Sequence, residues 1–302
     1  MRREFSDTIE KLAKDNENLV FITGDLGYNA FENLQIKLGE RFINSGVAEQ
    51  SMIGIAAGLA VKGYKVFCYS IAPFIVYRCL EQIRNDVCFH NLPVFMVGNG
   101  GGYGYGVMGS SHHAISDLAS ISSLPNINSW IPNTANDVNQ ITERIFYDSK
   151  PAYLRLGKSS LSLKCNDLNY SYNIIENNNS STTVIGLGPM LEKIILATRR
   201  KKLNKLLNII GCFKLPLVEN DEIIKILEST NNLIIVEDHV EIGGLSQQIS
   251  SFILKNKIMI NNFINMNAQG YPSDLYGNED FHHLDSKISI GDIEENILRI
   301  LN

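Results

Sequence analysis

The chain has 302 residues, 44% of them apolar and 20% charged, which excludes a disordered tail, a collagen-like fibre and a disulfide-framed miniprotein. Its length fits two globular domains. With 27 Lys plus Arg against 32 Asp plus Glu the net charge is -5, so neither nucleic acid nor a membrane surface is an expected partner; small molecules and other proteins are. Cysteines at 68, 79, 88, 165 and 212 form an odd set with no CxxC, as expected of reduced thiols in a cytosol. The N-terminus carries acidic and amide residues where a signal peptide needs an apolar core, and no apolar run reaches the roughly 18 to 20 residues of a membrane span, so a cytoplasmic protein is expected.

In chain order the pattern predicts a helix over 6–18 and a strand over 19–23 that ends in Gly24-Asp25-Leu26-Gly27. A strand at 41–44 turns at Ser45-Gly46 into the helix 47–61, whose apolar residues nearly encircle it and predict burial on almost all sides. Then come a strand at 65–69, a helix at 72–88, a strand at 93–97, a glycine-rich loop at 98–109, a short helix near 116–122, a strand near 128–131, a helix at 135–148 and a strand at 152–155. The run 159–181 lapses into Ser, Asn and Lys and reads as a linker between a first domain (1–158) and a second (182–302). The second predicts strands at 183–187, 206–211, 233–236 and 258–264, with helices near 189–203, 244–255 and 289–301. Apolar strands alternating with helices and lacking in/out alternation predict an α/β fold: two domains, each a mainly parallel sheet flanked by helices.

Glu49 is anomalous, because it opens the most apolar helix of the chain. A carboxylate there either complements the helix dipole, worth about 0.3–1 kcal/mol, or faces an apolar cavity and shares a proton with a ring nitrogen of a bound molecule. Gly104, Gly106 and Gly109 form a GxGxxG, but the strand ends several residues too early for a dinucleotide site. Gly157-Lys158-Ser159 ends like a P-loop, yet Ala152 stands where its first glycine belongs. Adjacent His112-His113 without a third ligand nearby argue against a metal site.

The stretch Asn44-Ser45-Gly46-Val47-Ala48-Glu49-Gln50-Ser51-Met52 follows Gly24-Asp25-Leu26-Gly27 and precedes Tyr69-Ser70-Ile71-Ala72-Pro73-Phe74, Arg84-Asn85-Asp86, Gly109-Ser110-Ser111-His112-His113-Ala114 and Leu124-Pro125-Asn126. In this order and spacing it closely resembles the pyrimidine-binding domain of transketolases. Val184-Ile185-Gly186-Leu187-Gly188-Pro189 and Val236-Glu237-Asp238-His239 are similar to the C-terminal domain of that family. The resemblance implies that Glu49 bonds N1′ of the aminopyrimidine of thiamine diphosphate, favouring the imino tautomer that removes the C2 proton. It implies that Phe74, Tyr77 and Arg78 wall the pyrimidine and that Asp25 and Leu26 lie against the cofactor. It gives His112 a contact near the reacting carbons of the substrate and Arg155 the sugar phosphate. The residue-level alternatives remain: Phe74 as core, Asp25 as a cap, Arg155 in an interdomain ion pair. Glu237-Asp238-His239 reads as interdomain packing, and His282-His283 supports no functional argument.

Met108 and Asn99 stand where many transketolases carry an acidic residue and a histidine, which leaves the usual sugar phosphates in doubt. The family's diphosphate and Mg2+ domain, with its Gly-Asp-Gly start, has no counterpart in the sequence. The resemblance therefore implies the C-terminal subunit of a split transketolase that transfers a ketol unit between sugars, phosphorylated ones in the family's manner. An N-terminal partner subunit would bring the Mg2+ and diphosphate site, in an α2β2 assembly. The Met1 start reads as that of a natural subunit. The alternatives are a β-subunit of a 2-oxo acid dehydrogenase-type or other thiamine enzyme, and a catalytically silent partner of one.

Overall fold

Strands that are apolar on both faces are satisfied only between two helical layers, and the chain builds two such sheets. The computed structural model describes residues 1–27, 30–163, 167–199 and 201–301; Cys165 lies outside the described residues. The first unit runs α1 (Arg2–Asp15), β1 (Leu19–Thr23), α2 (Glu32–Leu38), β2 (Phe42–Asn44), α3 (Glu49–Val61), β3 (Lys65–Ile71), α4 (Ala72–Val76), α5 (Leu80–Gln82), β4 (Val94–Asn99), α6 (Asp117–Ser122), β5 (Asn128–Trp130), α7 (Ala135–Asp148) and β6 (Ala152–Leu156). The second runs β7 (Tyr172–Glu176), β8 (Thr182–Leu187), α8 (Met190–Arg199), β9 (Asn208–Cys212), β10 (Lys214–Leu215), α9 (Asp221–Glu228), β11 (Asn232–Glu237), α10 (Leu245–Lys255), β12 (Asn262–Asn267), α11 (Glu279–Asp285) and α12 (Ile290–Leu301). Among the described residues no helix is long and apolar enough to cross a membrane.

The first sheet has the order β10-β5-β6-β4-β3-β1-β2 and the second β12-β11-β8-β9-β7. Both are parallel except at one edge, where β10 pairs antiparallel with β5 and β7 with β9. The ends of β1, β3, β4 and β6 lie side by side, with Thr23 opposite Tyr69, Ser70 opposite Gly98 and Gly98 opposite Arg155. Functional side chains at those ends are thus neighbours although they are far apart in sequence. One face of the sheet is packed by aromatic rings: Phe5, Phe21, Phe31, Phe67 and Tyr69 meet in edge-on, tilted and stacked pairs, with Phe31 and Tyr69 centroids 4.7 Å apart.

The two units share one core. Leu118, Ile121 and Ile131 of the first cluster with Leu187, Ile210 and Leu245 of the second, and β10 reaches back into the first sheet. Cys68, Cys79, Cys88 and Cys212 are buried free thiols; burial pushes Cys79, Cys88 and Cys212 up to about 12, which leaves them unreactive at neutral pH.

Several elements differ from the sequence expectation. The expected linker 159–181 contains β7, which closes an edge of the second sheet. The expected helix 72–88 is broken: α4 stops at Val76, and a π-helical turn at Ile83–Cys88 follows α5. Helix α3 is buried on one face only, through Met52, Ile53, Ala56, Ala57 and Ala60. Its other face exposes Ser51, Gly54, Ile55, Gly58 and Val61, small or apolar residues that present little polarity to water. The strand expected at 258–264 is β12, which starts only at Asn262.

Candidate active site

Gly46, with φ of +70°, makes the turn that swings the chain from β2 into α3, and Glu49 is the first helical residue. Its carboxylate sits beneath the strand ends, 1% exposed. Ser70, at the end of β3, donates from Oγ to Oε1 at 3.0 Å. Gly24, at the end of β1, lies against the same oxygen, which a Cβ there would approach to 3.4 Å.

The break after α4 brings Arg78 to the opposite side, where Nη1 donates to Glu49 Oε2 in a short ion pair. The guanidinium also lies over the Phe74 ring, 4.9 Å from its centroid. Phe74 meets His112 edge-on at 5.1 Å. His112 in turn lies 5.9 Å from Tyr105, whose hydroxyl accepts from Asn99 Nδ2 at 2.8 Å. Glu49, Arg78, Phe74 and His112 therefore form one continuous set of contacts: an acid, a cation, an aromatic face and an imidazole. The Glu49–Arg78 pair is half open, with the Arg78 side chain 42% exposed.

Asp25 and Leu26 occupy the next loop. Asp25 has φ of +58° and is held by Asn44, which takes its backbone N–H at 3.1 Å and donates to its carboxylate at 2.9 Å. The same Asn44 Oδ1 accepts from Gly46 N at 3.0 Å, coupling this loop to the turn that aims Glu49. Asp25 and Leu26 line a hollow of about 100 Å³ with Phe31 and Phe42, on the side of α2 and β2. Tyr77 is only 38% exposed, and its hydroxyl is engaged by Ser116 Oγ at 2.9 Å and Ser116 N at 3.1 Å. It braces the start of α6 and does not meet Glu49.

Arg155, expected to hold the sugar phosphate, sits in a buried hydrogen-bond network. The residue is 4% exposed; Nε pairs with Asp117 Oδ2 at 2.9 Å, and Nη2 donates to Ala114 O at 2.6 Å and to Asp238 O at 2.9 Å. Asp117 also accepts from Tyr153 Oη at 2.6 Å. The ion pair with Asp117 lies within the first unit, while the bond to Asp238 O crosses to the second, so Arg155 clamps α6 to the end of β11. A side chain at Gly101 would lie 2.4 Å from Arg155 Nε, so the glycine loop is pressed against the clamp.

Sequence reasoning misses Ser70, Asn44 and Asp117. The first two carry a signal as polar residues ending apolar strands; nothing local distinguishes Asp117 from a helix-opening aspartate. His239, expected to serve packing, bridges the units: Nδ1 donates to Val240 O at 2.7 Å, so the ring is neutral at Nε2, which accepts from Ala119 N at 3.3 Å. Burial pushes it below the ordinary imidazole range.

The sequence profile described as "Transketolase, pyrimidine binding domain" matches residues 1–164, and that of "Transketolase, C-terminal domain" matches residues 172–264. A Phocaeicola vulgatus chain, named as one of the subunits of an apulose-4-phosphate transketolase, is 27% identical over 267 residues, covering 86% of this chain and 85% of that one. A chain of Methanocaldococcus jannaschii provisionally named a transketolase C-terminal section is 32% identical over 273 residues, covering 85% and 82%. Among solved structures, one titled "Split gene transketolase, inactive beta4 tetramer" superposes with a TM-score of 0.84 at 22% identity, over 99% of this chain and 97% of that one, a likeness of fold. By the profile that spans its first half and by the 32% identical relative, the chain belongs to the transketolase family.

Proposed function

We propose that the chain is the pyrimidine-binding subunit of a two-component, thiamine diphosphate-dependent transketolase that moves a ketol unit between phosphorylated sugars. The observation that carries this is the half-built site: a buried carboxylate at the head of α3, steered by Ser70, beside the face of Phe74 and open where Arg78 caps it. These residues suit an aminopyrimidine, which needs a carboxyl at a ring nitrogen and an aromatic wall. The bound cofactor supplies the carbon nucleophile and the electron sink. Glu49 holds the proton at the ring nitrogen, and Phe74 orients the ring. Arg78 leaves Oε2 for solvent as the ring arrives, which its exposed, flexible stem permits. His112, on the loop opposite Phe74, offers a donor and acceptor to substrate hydroxyls.

The partner is an N-terminal subunit that holds the diphosphate through Mg2+. Support comes from the name of the P. vulgatus relative, which makes it one subunit of its transketolase, and from exposed apolar residues along α3 and the turn before it, where Val47 is 73%, Ile55 44% and Val61 69% exposed. That surface fits a second chain that would complete the site and shut water out of it.

Co-purification with the product of an N-terminal transketolase gene from the same genome, followed by a ketol-transfer assay with and without thiamine diphosphate, tests the reading. Activity that needs both chains and the cofactor is expected. Full activity of this chain alone would overturn the two-component reading, and transfer without added or bound thiamine diphosphate would overturn the cofactor.

A further inference from the structure

Between the two units lies a hollow of about 250 Å³ bordered by Asp238, Glu279, His283, Lys158 and the buried Arg155. Asp238 follows β11, while Glu279 and His283 lie four residues apart on α11 and so share a face. Donor atoms of the three lie within 4.8 Å of one another. Around a cation held at roughly 2.1 Å, tetrahedral ligand atoms are about 3.4 Å apart, a difference that side-chain rotation covers.

A second observation points to a ligand. His283 is 2% exposed; its Nδ1 makes no hydrogen bond, and its Nε2 lies at ion-pair distance, 3.2 Å, from Asp238 Oδ2. Asp238 Oδ1 is buried and likewise unbonded. Buried polar atoms left this way call for a partner. The Asp238 carboxylate is also held in place, since Oδ2 accepts from Tyr103 N at 3.1 Å and a side chain at Gly102 could not be accommodated against it. A competing cation is Lys158, whose Nζ is 3.1 Å from Glu279 Oε2 and donates to Gly104 O at 3.2 Å; its side chain is 74% exposed.

We infer that Asp238, Glu279 and His283 form a site for a divalent transition-metal ion of the zinc class, completed by water. Two carboxylates balance the charge of the ion, and the imidazole favours zinc-class ions over Mg2+. The bound ion would fasten α11 to the end of β11 and, through the Tyr103 amide, to the glycine loop that carries His112. This inference is independent of the thiamine reading, because its ligands all lie outside that site.

The test uses the full chain, stripped by chelator and titrated calorimetrically with Zn2+, with Co2+ absorption bands as a second readout of the ligand set. One equivalent of Zn2+ is expected, undisturbed by Mg2+. Glu279→Gln and His283→Gln should each weaken binding by about tenfold or more. Lys158→Met should tighten it, which binding at the exposed His90 or the half-buried His112 would not do. Glu279 is partly exposed, so its variant decides the matter even where His283→Gln folds poorly. Absence of saturable Zn2+ binding, or wild-type affinity in Glu279→Gln, would overturn the site.

Discussion

Replacing Arg155 with methionine keeps most of the aliphatic length and deletes the charge that joins the two units. Three bonds vanish: to Asp117, to Ala114 O and to Asp238 O. Asp117, fully buried, then keeps only the Tyr153 hydroxyl among its hydrogen-bond donors, and two buried carbonyls lose the guanidinium. Breaking a buried pair from one side costs about 3–5 kcal/mol, a large part of the roughly 5–15 kcal/mol that holds a typical domain together. With a urea slope of about 1–3 kcal/mol/M, the midpoint should fall by about 1 M or more. The sole tryptophan, Trp130, is 3% exposed on β5 opposite Lys214 of β10, so its fluorescence reports on the joint. Adding Asp117→Asn removes the stranded charge and should recover part of the loss. In a ketol-transfer assay the variant should affect phosphorylated and free sugars alike. An unchanged midpoint together with a raised KM for the phosphorylated sugar alone would refute the clamp and restore Arg155 as a phosphate ligand.

In the reconstituted two-chain enzyme, Glu49→Gln should lower kcat by about 10²–10⁴-fold while circular dichroism and the urea midpoint stay near wild type; retained turnover would exclude Glu49 from proton handling. Gly102→Ala forces a methyl group into the Asp238 carboxylate at a φ of +62°, so the variant should lose about 1–3 kcal/mol in urea melts, and a wild-type melt would contradict the packing. Burial pushes His113, His239 and His282 below the ordinary imidazole value near 6.5. Below that value the unfolded chain binds more protons than the folded one, so their contribution is full above about pH 6.5 and fades as pH falls. Glu237, pushed up to about 7 by burial, acts in the opposite sense, since the folded chain then keeps its proton up to a higher pH. Urea midpoints at pH 7.5 and 5.5 in a Glu237→Gln background should therefore be lower at 5.5; an equal or higher value there would mean that the histidines do not titrate as their burial dictates.

Long elements with a clear pattern are legible in the sequence. Strands β1, β3, β4, β8 and β11 and helices α7, α10 and α12 fall where apolar runs and periodicity place them. The misses have physical reasons. Strand β10 is two residues long and exists because β5 offers it an edge. Strand β7 lies in a stretch rich in Ser and Asn, and its pairing with β9 supplies the order that its composition lacks. Helix α2 buries only Leu34 and Leu38, too few to show a period. Helix α9 does carry a signal, since Asn220 caps the N–H groups of Glu222 and Ile223 ahead of an apolar stripe.

At the site, the sequence identifies residue types at strand and helix ends but not what their far atoms reach. Glu49 stands out because a carboxylate opening an apolar helix conflicts with its surroundings. Arg155 does not resolve, because an arginine ending a strand looks the same whether it meets a phosphate or Asp117. The deciding contact comes from α6, whose Asp117 carboxylate reaches the end of β6 only after the sheet has formed. The same holds for α3. Its all-round apolarity predicts burial, yet the chain buries one face and leaves Ile55 and Val61 in water. An apolar helix surface beside a buried, half-open acid is costly for a lone chain and is stabilising once a second chain covers it. The hydrophobic pattern of α3 is thus in keeping with the proposed second chain, whose docking would cover Ile55 and Val61.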